Sequence, residues 1–175
     1  MKKILITGLP GVGKTTLIKK TADALARFGP VGFYTKEIRE GGSRKGFEMI
    51  ALDGRRGTIA HVGNRKSPFK VGKYGVDVPG FEGFLREIEF LAPGSGPIII
   101  DEIGKMECYS RDFEDLIEDI FDSERLVVAT VARKGGGLIS SVKKKPDVTV
   151  LEITRANRDS LVSHVLEIAL EELTG

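Results

Sequence analysis

A glycine-rich stretch near the start of the chain has the residue types and the spacing of a phosphate-binding loop. Gly8, Gly13, Lys14 and Thr15 fill the pattern G-x-x-x-x-G-K-[ST]. Glycines allow the backbone to form a nest of N–H groups that face an anion, and the N-terminus of the following helix adds a positive dipole end. Lys14 can then reach the β- and γ-phosphates, and the Thr15 hydroxyl can ligate Mg²⁺. The pattern predicts the binding of a nucleoside triphosphate.

A second stretch supplies carboxylates. The apolar run Ile98–Ile100 predicts a strand buried on both faces, and Asp101 and Glu102 follow it directly. Ligands in α/β folds bind at the carboxyl ends of strands, so we expect Asp101 to face Thr15 across a bound Mg²⁺. Glu102 is a candidate general base that would orient and partly deprotonate a water in line with the γ-phosphorus.

The same residues leave other functions open. Asp101 to Gly104 also fits D-x-x-G, a feature of GTPase-like switches, but no N-K-x-D sequence for reading guanine is present. A small-molecule or nucleotide kinase would use the same loop, with Glu102 deprotonating a substrate hydroxyl. A third alternative, an RNA-linked ATPase, depends only on scattered basic residues.

Several side chains have two interpretations each. Arg133 and Lys134 follow a predicted strand and are either charge-stabilising groups for the γ-phosphate or solvated loop residues. Asn157 either contacts the base or caps the last helix, and we favour the cap. Tyr74 either stacks on a base or packs on its own loop. A set of basic residues at the predicted meander turns either covers the nucleotide or is solvent-exposed: Arg39, Arg44, Lys45, Arg55 and Arg56.

Composition limits the class of protein. The 175 residues fit a single domain, 1–175, and the net charge of +2 is too small to argue for a polyanionic partner. No apolar run is long enough to span a membrane. The single cysteine, Cys108, suits a reducing cytoplasm, and we expect a monomer there. Glutamine is absent and Asn64 and Asn157 are the only asparagines, which favours a thermophilic source.

Hydrophobic periodicity predicts strands alternating with helices, and therefore an α/β fold with a mostly parallel sheet. An antiparallel meander is expected early in the chain, followed by an irregular segment from Asn64 to Val78 and, later, a flexible basic segment from Gly135 to Lys145. The expected helices are 13–28, one around 81–91, one around 113–121, and 157–173; the expected strands are 4–6, 31–38, 47–52, 58–62, 98–100, 126–131 and 148–153.

Four stretches together resemble the THEP1 family of nucleoside-triphosphatases. They are the Gly8–Thr15 loop, D-E-I-G-K-M-E at 101–107, G-K-Y-G-V-D-V at 72–78, and Thr154–Asp159. The resemblance implies a P-loop NTPase three-layer sandwich whose parallel strands follow the order 5-1-4-3-2, and hydrolysis of the γ-phosphate of ATP, GTP and other nucleoside triphosphates.

The resemblance also implies which residues form the site. Lys14, Asp101 and Glu102 would be catalytic, and Thr15 and Asp101 would hold the metal. Two stretches would contact the nucleotide: Gly8, Leu9, Pro10, Gly11, Val12, Gly13, Lys14, Thr15 and Thr16, and then Ile98, Ile99, Ile100, Asp101, Glu102, Ile103, Gly104 and Lys105.

Overall fold

A computed structural model describes all 175 residues and places one nine-stranded sheet between two layers of helices. The strands are β1 (Lys3–Thr7), β2 (Val31–Glu40), β3 (Ser43–Ala51), β4 (Arg56–His61), β5 (Lys70–Val71), β6 (Tyr74–Val76), β7 (Ile98–Ile103), β8 (Val127–Val131) and β9 (Val148–Glu152). The helices are α1 (Lys14–Ala24), α2 (Val78–Arg86), α3 (Arg111–Asp122), α4 (Leu138–Val142) and α5 (Arg158–Thr174), with 3₁₀ turns at Ala26–Phe28 and Glu107–Tyr109.

Five of the strands are parallel and form one half of the sheet. Their spatial order is β2-β7-β8-β1-β9, and every neighbouring pair runs parallel. Numbered among themselves along the chain, these strands follow the expected order 5-1-4-3-2, so the α/β, P-loop-type architecture is confirmed. The full sheet differs from a five-stranded one because β3, β4, β6 and β5 extend it beyond β2.

Strand β2 belongs to both halves of the sheet. It pairs in parallel with β7 over Val31–Phe33 and antiparallel with β3 over Phe33–Glu40. The expected antiparallel meander is confirmed, and its first strand is also the edge strand of the parallel half.

Two segments expected to be irregular contain regular structure. The segment 64–78 includes β5 and β6, which pair with each other and, through β6, with β4. The basic segment 135–145 includes the short helix α4, with Leu138, Ile139 and Val142 buried. Elements of two to five residues are too short to show a hydrophobic period in the sequence, since a period needs a longer window.

The two faces of the sheet bury separate hydrophobic clusters. Along β1, Ile4 and Ile6 face α1 and α5, whereas Leu5 faces the opposite side with α2, α3 and α4. This alternation is the period-two geometry of a strand covered on both faces. None of the helices combines the length and apolar character that a membrane crossing requires.

Candidate active site

The loop between β1 and α1 presents unpaired backbone donors. The N–H groups of Gly11, Gly13, Lys14, Thr15 and Thr16 donate to no acceptor within the chain. Gly11 at φ 73° and Gly13 at φ 118° adopt left-handed backbone geometry that side chains resist. These free donors stand at the positive end of the α1 dipole, so the loop has the electrostatics of an anion site.

Glycine at position 8 permits a close approach of two loops. A Cβ on Gly8 would lie 2.6 Å from the carbonyl oxygen of Ile153, which follows β9. Within the loop, Val12 is buried, while Leu9, Pro10, Gly11 and Thr16 are exposed. The loop is therefore anchored on its β9 side and open to solvent at its outer turn.

The Lys14 ammonium lies over the start of the loop. Its Nζ donates to the carbonyl oxygens of Gly8 at 3.1 Å and Leu9 at 3.3 Å. The same Nζ lies 3.9 Å from Oε2 of Glu102, so the lysine and the second carboxylate face the same space.

Asp101 is fixed by hydroxyl groups from three elements. The Thr15 Oγ1 donates to Asp101 Oδ2 at 2.6 Å, and Thr130 Oγ1 donates to Oδ1 at 2.5 Å. Thr35 adds longer bonds to Oδ2, at 3.4 Å from its N–H and 3.3 Å from its hydroxyl. The Asp101 side chain is buried, so these donors offset the cost of removing a carboxylate from water.

Two further carboxyl groups lie next to Gly104. A Cβ on Gly104 would meet Glu102 Oε1 at 2.8 Å and Glu107 Oε2 at 2.9 Å. Burial raises the pKa of Glu102; the Lys14 charge opposes this rise and Asp101 adds to it. Burial, with the nearby Glu102 charge, raises the pKa of Glu107 to about 8. Folding therefore favours the protonated form of Glu107.

Sequence reasoning missed three polar residues of this site. Thr130 is the penultimate residue of the buried strand β8 beside β7, and its place near the carboxyl end of a parallel strand was a usable signal. Thr35 lies inside β2, and nothing in its local sequence indicates that it belongs to the site. Glu107 belongs to the D-E-I-G-K-M-E run, but its burial depends on tertiary packing.

Part of the expected second nucleotide-contacting stretch is core. Ile98, Ile99, Ile100 and Ile103 are fully buried in β7, so their side chains position Asp101 and do not reach the open edge of the sheet. These four side chains are not open to a ligand, and contact of the stretch 98–105 with a nucleotide stays a prediction. Lys105, in contrast, is exposed.

The structure also separates the alternatives for Asn157. It occupies the N-cap position of α5, but its side chain makes no capping bond. Its Oδ1 instead accepts from the Thr154 N–H at 2.7 Å, and its Nδ2 donates to the Glu152 carbonyl at 2.9 Å. Both ends of the amide are thus used to shape the loop after β9, and the favoured capping interpretation was wrong.

The remaining polar candidates are held by local contacts. Arg133 forms an ion pair with Glu152 at 3.5 Å, while Lys134 is exposed. Tyr74 is buried, and its hydroxyl accepts from Arg44 Nε at 2.8 Å. The five basic residues of the predicted meander do not form one group, because Arg39, Arg44 and Lys45 lie at the β2–β3 end and Arg55 and Arg56 at the opposite end of the antiparallel strands.

Comparison with known proteins identifies the family of the chain. A family model described as NTPase matches residues 3–166. The nucleoside-triphosphatase THEP1 of a Thermotoga species (strain RQ2) is 47% identical over 167 residues, which cover 95% of this chain and 94% of that protein. The human cancer-related nucleoside-triphosphatase is 37% identical over 180 residues, which cover 94% of this chain and 95% of that protein.

Two solved structures have the same fold. The crystal structure of THEP1 from Aquifex aeolicus superposes with a TM-score of 0.86 at 36% identity, covering 95% of this chain and 98% of that one. The solution structure of a human cancer-related nucleoside triphosphatase gives a TM-score of 0.81 at 33% identity, covering 96% of this chain and 97% of that one. With its phosphate loop facing a strand-end carboxylate pair, the chain belongs to the THEP1-type family of nucleoside-triphosphatases.

Proposed function

We propose that the chain hydrolyses the γ-phosphate of ATP, GTP and other nucleoside triphosphates, giving the diphosphate and inorganic phosphate in a Mg²⁺-dependent reaction. The observation that carries the proposal is the 2.6 Å contact between Thr15 and Asp101 beside five unpaired loop N–H groups. It joins a hydroxyl and a carboxylate that lie 86 residues apart in the sequence.

The loop would bind the β- and γ-phosphates. Its free N–H groups are available to an anion, and donors held in place before the phosphates bind contribute most because they need no reorganisation. Lys14 adds a full positive charge, and its distance of 3.9 Å from Glu102 supports a role at the reacting end of the polyphosphate. Its role is to stabilise charge on the oxygens between the β- and γ-phosphorus.

Thr15 and Asp101 have the chemistry of a Mg²⁺ site. Both offer hard oxygen ligands, and the Asp101 carboxylate is oriented by the hydroxyls of Thr130 and Thr35. No group of three acidic, histidine or cysteine side chains could hold a metal alone. This fits Mg²⁺, which takes one or two protein ligands and completes its shell with phosphate oxygens and water. When bound, the ion would neutralise charge on the phosphates.

Glu102 is the proposed general base. It borders the space beside Lys14 and is partly exposed, so a water molecule can reach it. In the reaction, the water oxygen forms a bond to the γ-phosphorus as the bond to the bridging oxygen breaks, and Glu102 accepts the water proton. The bridging oxygen leaves as part of the diphosphate.

We further infer that residues 1–175 form a single domain and that the reaction takes place in the cytoplasm. One sheet includes strands from both ends of the chain, β1 and β9. Cys108 is the single cysteine and is free, and burial raises the pKa of its thiol to about 12. An unreactive lone thiol suits a reducing compartment.

A phosphate-release panel tests the proposal. ATP, GTP, CTP and UTP are each supplied with and without Mg²⁺, and with and without candidate phosphoryl acceptors. We expect release from all four without an acceptor, dependence on Mg²⁺, and loss of turnover in Lys14→Ala. Lys20→Ala is the matched control, since Lys20 is an exposed lysine on the same helix. Release that requires an acceptor would favour a kinase and contradict the proposal.

A further inference from the structure

An apolar groove of about 590 Å³ lies on the face of the sheet opposite α1. It is enclosed by α2, the turn that follows α2, and α3. Leu91 is 42% exposed in it and Leu116 is half-buried, above a floor formed by Leu85, Ile88 and Phe90. The groove is therefore separated from the phosphate loop by the thickness of the sheet.

The rim of this groove is strongly acidic. Five carboxylates and one arginine surround the groove. The whole chain, in contrast, has slightly more basic residues (27) than acidic residues (25). The arginine, Arg86, is already committed, because it pairs with Asp112 at 2.5 Å and with Glu82 at 3.8 Å. Asp115 pairs with Arg111 at 2.9 Å, whereas Glu89 and Asp119 form no ion pair within 4.0 Å. The negative charge of the rim is thus only partly neutralised from within the chain.

Helix α3 carries these acids at a cost to its own stability. Its last turn contains no basic residue, although the negative end of a helix dipole favours one. Acidic residues also repeat at i,i+4, in the pairs Glu114–Glu118 and Asp115–Asp119, where like charges destabilise a helix. Charges that destabilise their own helix in this way are expected where a surface serves a function.

The acids and the apolar side chains share one stripe of α3. Asp112, Asp115, Leu116 and Asp119 are spaced i, i+3, i+4 and i+7, which places them on one helix face. The stripe is about 10 Å long at 1.5 Å per residue. We propose that the groove is a docking site for a basic amphipathic helix of a partner protein, whose apolar face meets Leu91 and Leu116 and whose lysines or arginines meet the rim. The sign of the charge opposes binding of nucleic acid.

Fluorescence anisotropy with a model peptide tests this proposal. The probe is a labelled helix of about four turns, made of leucine and lysine with leucines at i, i+3, i+4 and i+7. We expect the wild-type protein to bind it, and the double variant Glu89→Lys/Asp119→Lys to bind at least tenfold more weakly. Leu91→Ser should also weaken binding. Binding should weaken as salt rises, because exposed charges are screened.

Matched variants and peptides make the test specific. Glu167→Lys/Glu171→Lys reverses two exposed charges on α5, on the other face of the sheet, and should bind the probe as the wild type does. A peptide of the same composition without a single apolar face should bind poorly.

Equal binding of the probe to both double variants, or of both peptides to the wild type, would overturn the proposal. So would self-association of the protein abolished by Glu89→Lys/Asp119→Lys, which would identify a second copy as the occupant. Unchanged nucleoside-triphosphatase activity in all variants confirms that they are folded.

Discussion

Thr130 and Asp101 share a 2.5 Å hydrogen bond inside the sheet, and both side chains are almost completely shielded from solvent. The bond joins the carboxyl-terminal halves of β8 and β7, so the position of the proposed metal-binding carboxylate is set by the neighbouring strand. Thr15 reaches the other oxygen of the same carboxylate from α1. The orientation of Asp101 thus depends on residues from several elements at once.

Thr130→Val is expected to destabilise the protein and to raise the Mg²⁺ concentration required for activity. The change keeps the shape of the side chain but leaves Asp101 Oδ1 without its buried donor, at a cost of about 1–3 kcal/mol. Denaturant unfolding and a Mg²⁺ titration of phosphate release measure the two effects. Thr21→Val is the matched control, because Thr21 is equally buried and its hydroxyl has no partner. Its stability should be unchanged or improved; an equal loss in both variants would contradict the prediction.

Glu102→Gln is expected to retain nucleotide binding and to lower kcat by roughly 10²–10⁴-fold, as for a lost general base. The amide has the size of the carboxylate but cannot accept the water proton. Equilibrium binding of a fluorescent nucleotide and steady-state phosphate release separate the two quantities. Glu171→Gln, on the surface of α5, is the control. Undiminished hydrolysis in Glu102→Gln would remove this residue from the proposed mechanism.

Gly104→Ala is expected to lower kcat by up to about 100-fold, because displaced catalytic groups lose rate steeply with distance. The new Cβ would press on Glu102 Oε1 at 2.8 Å and on Glu107 Oε2 at 2.9 Å. Gly83→Ala provides the comparison, since a Cβ there meets nothing within 4 Å and the residue lies in α2. Steady-state kinetics should show normal turnover in Gly83→Ala, with a gain in stability of about 0.5–1 kcal/mol. Normal kinetics in Gly104→Ala would argue against a fixed placement of the two carboxyl groups.

Glu107 should make stability depend on pH. Its pKa is raised from an ordinary 4.5 to about 8 in the folded state, so folding favours the protonated form. The contribution of Glu107 to stability is then complete below pH 4.5 and is lost as pH rises toward 8. The loss is of the order of 5 kcal/mol.

Glu107→Gln removes this loss, because the amide is neutral at every pH. The advantage of the variant over the wild type, measured by denaturant unfolding, should therefore grow between pH 5 and pH 8. Glu118→Gln, an exposed position on α3, should show no such trend. A constant difference between Glu107→Gln and the wild type across this range would show that Glu107 is ionised in the folded protein.

The melting temperature should exceed the range of about 45–65 °C that is typical of mesophilic domains. The chain has no glutamine and 30% charged residues, a composition found in thermophilic proteins. Calorimetry measures the transition directly. A midpoint inside the mesophilic range would contradict a thermophilic source.

The phosphate loop and the strand that carries Asp101 could be predicted from the sequence because their signals are local. The glycine spacing dictates the turn, and three consecutive isoleucines before Asp101 indicate a strand covered on both faces. The order of the parallel strands followed from the resemblance to the family, and the structure has the same order.

The residues that surround Asp101 could not be predicted in the same way. Thr35 meets Asp101 only because β2 and β7 pair, a contact between residues 66 positions apart. The burial of Glu107 depends on the packing around the turn after β7. For Asn157, propensity favoured a helix cap, but its side-chain amide instead forms hydrogen bonds with the nearby Thr154 N–H and Glu152 carbonyl. Thr35 and Glu107 thus depend on tertiary contacts, whereas Asn157 depends on competing hydrogen bonds within its own loop.

Because β2 is shared, the antiparallel strands cannot be treated as a removable module. Deleting 43–76 would leave one side of β2 with a row of unpaired backbone groups, the kind of open edge that recruits other chains into aggregates. In the intact chain the sheet instead ends on β5, which is only two residues long and offers little to pair with. Shortened versions of the enzyme made for crystallisation or engineering should therefore keep strands β3 to β6, which cover this side of β2.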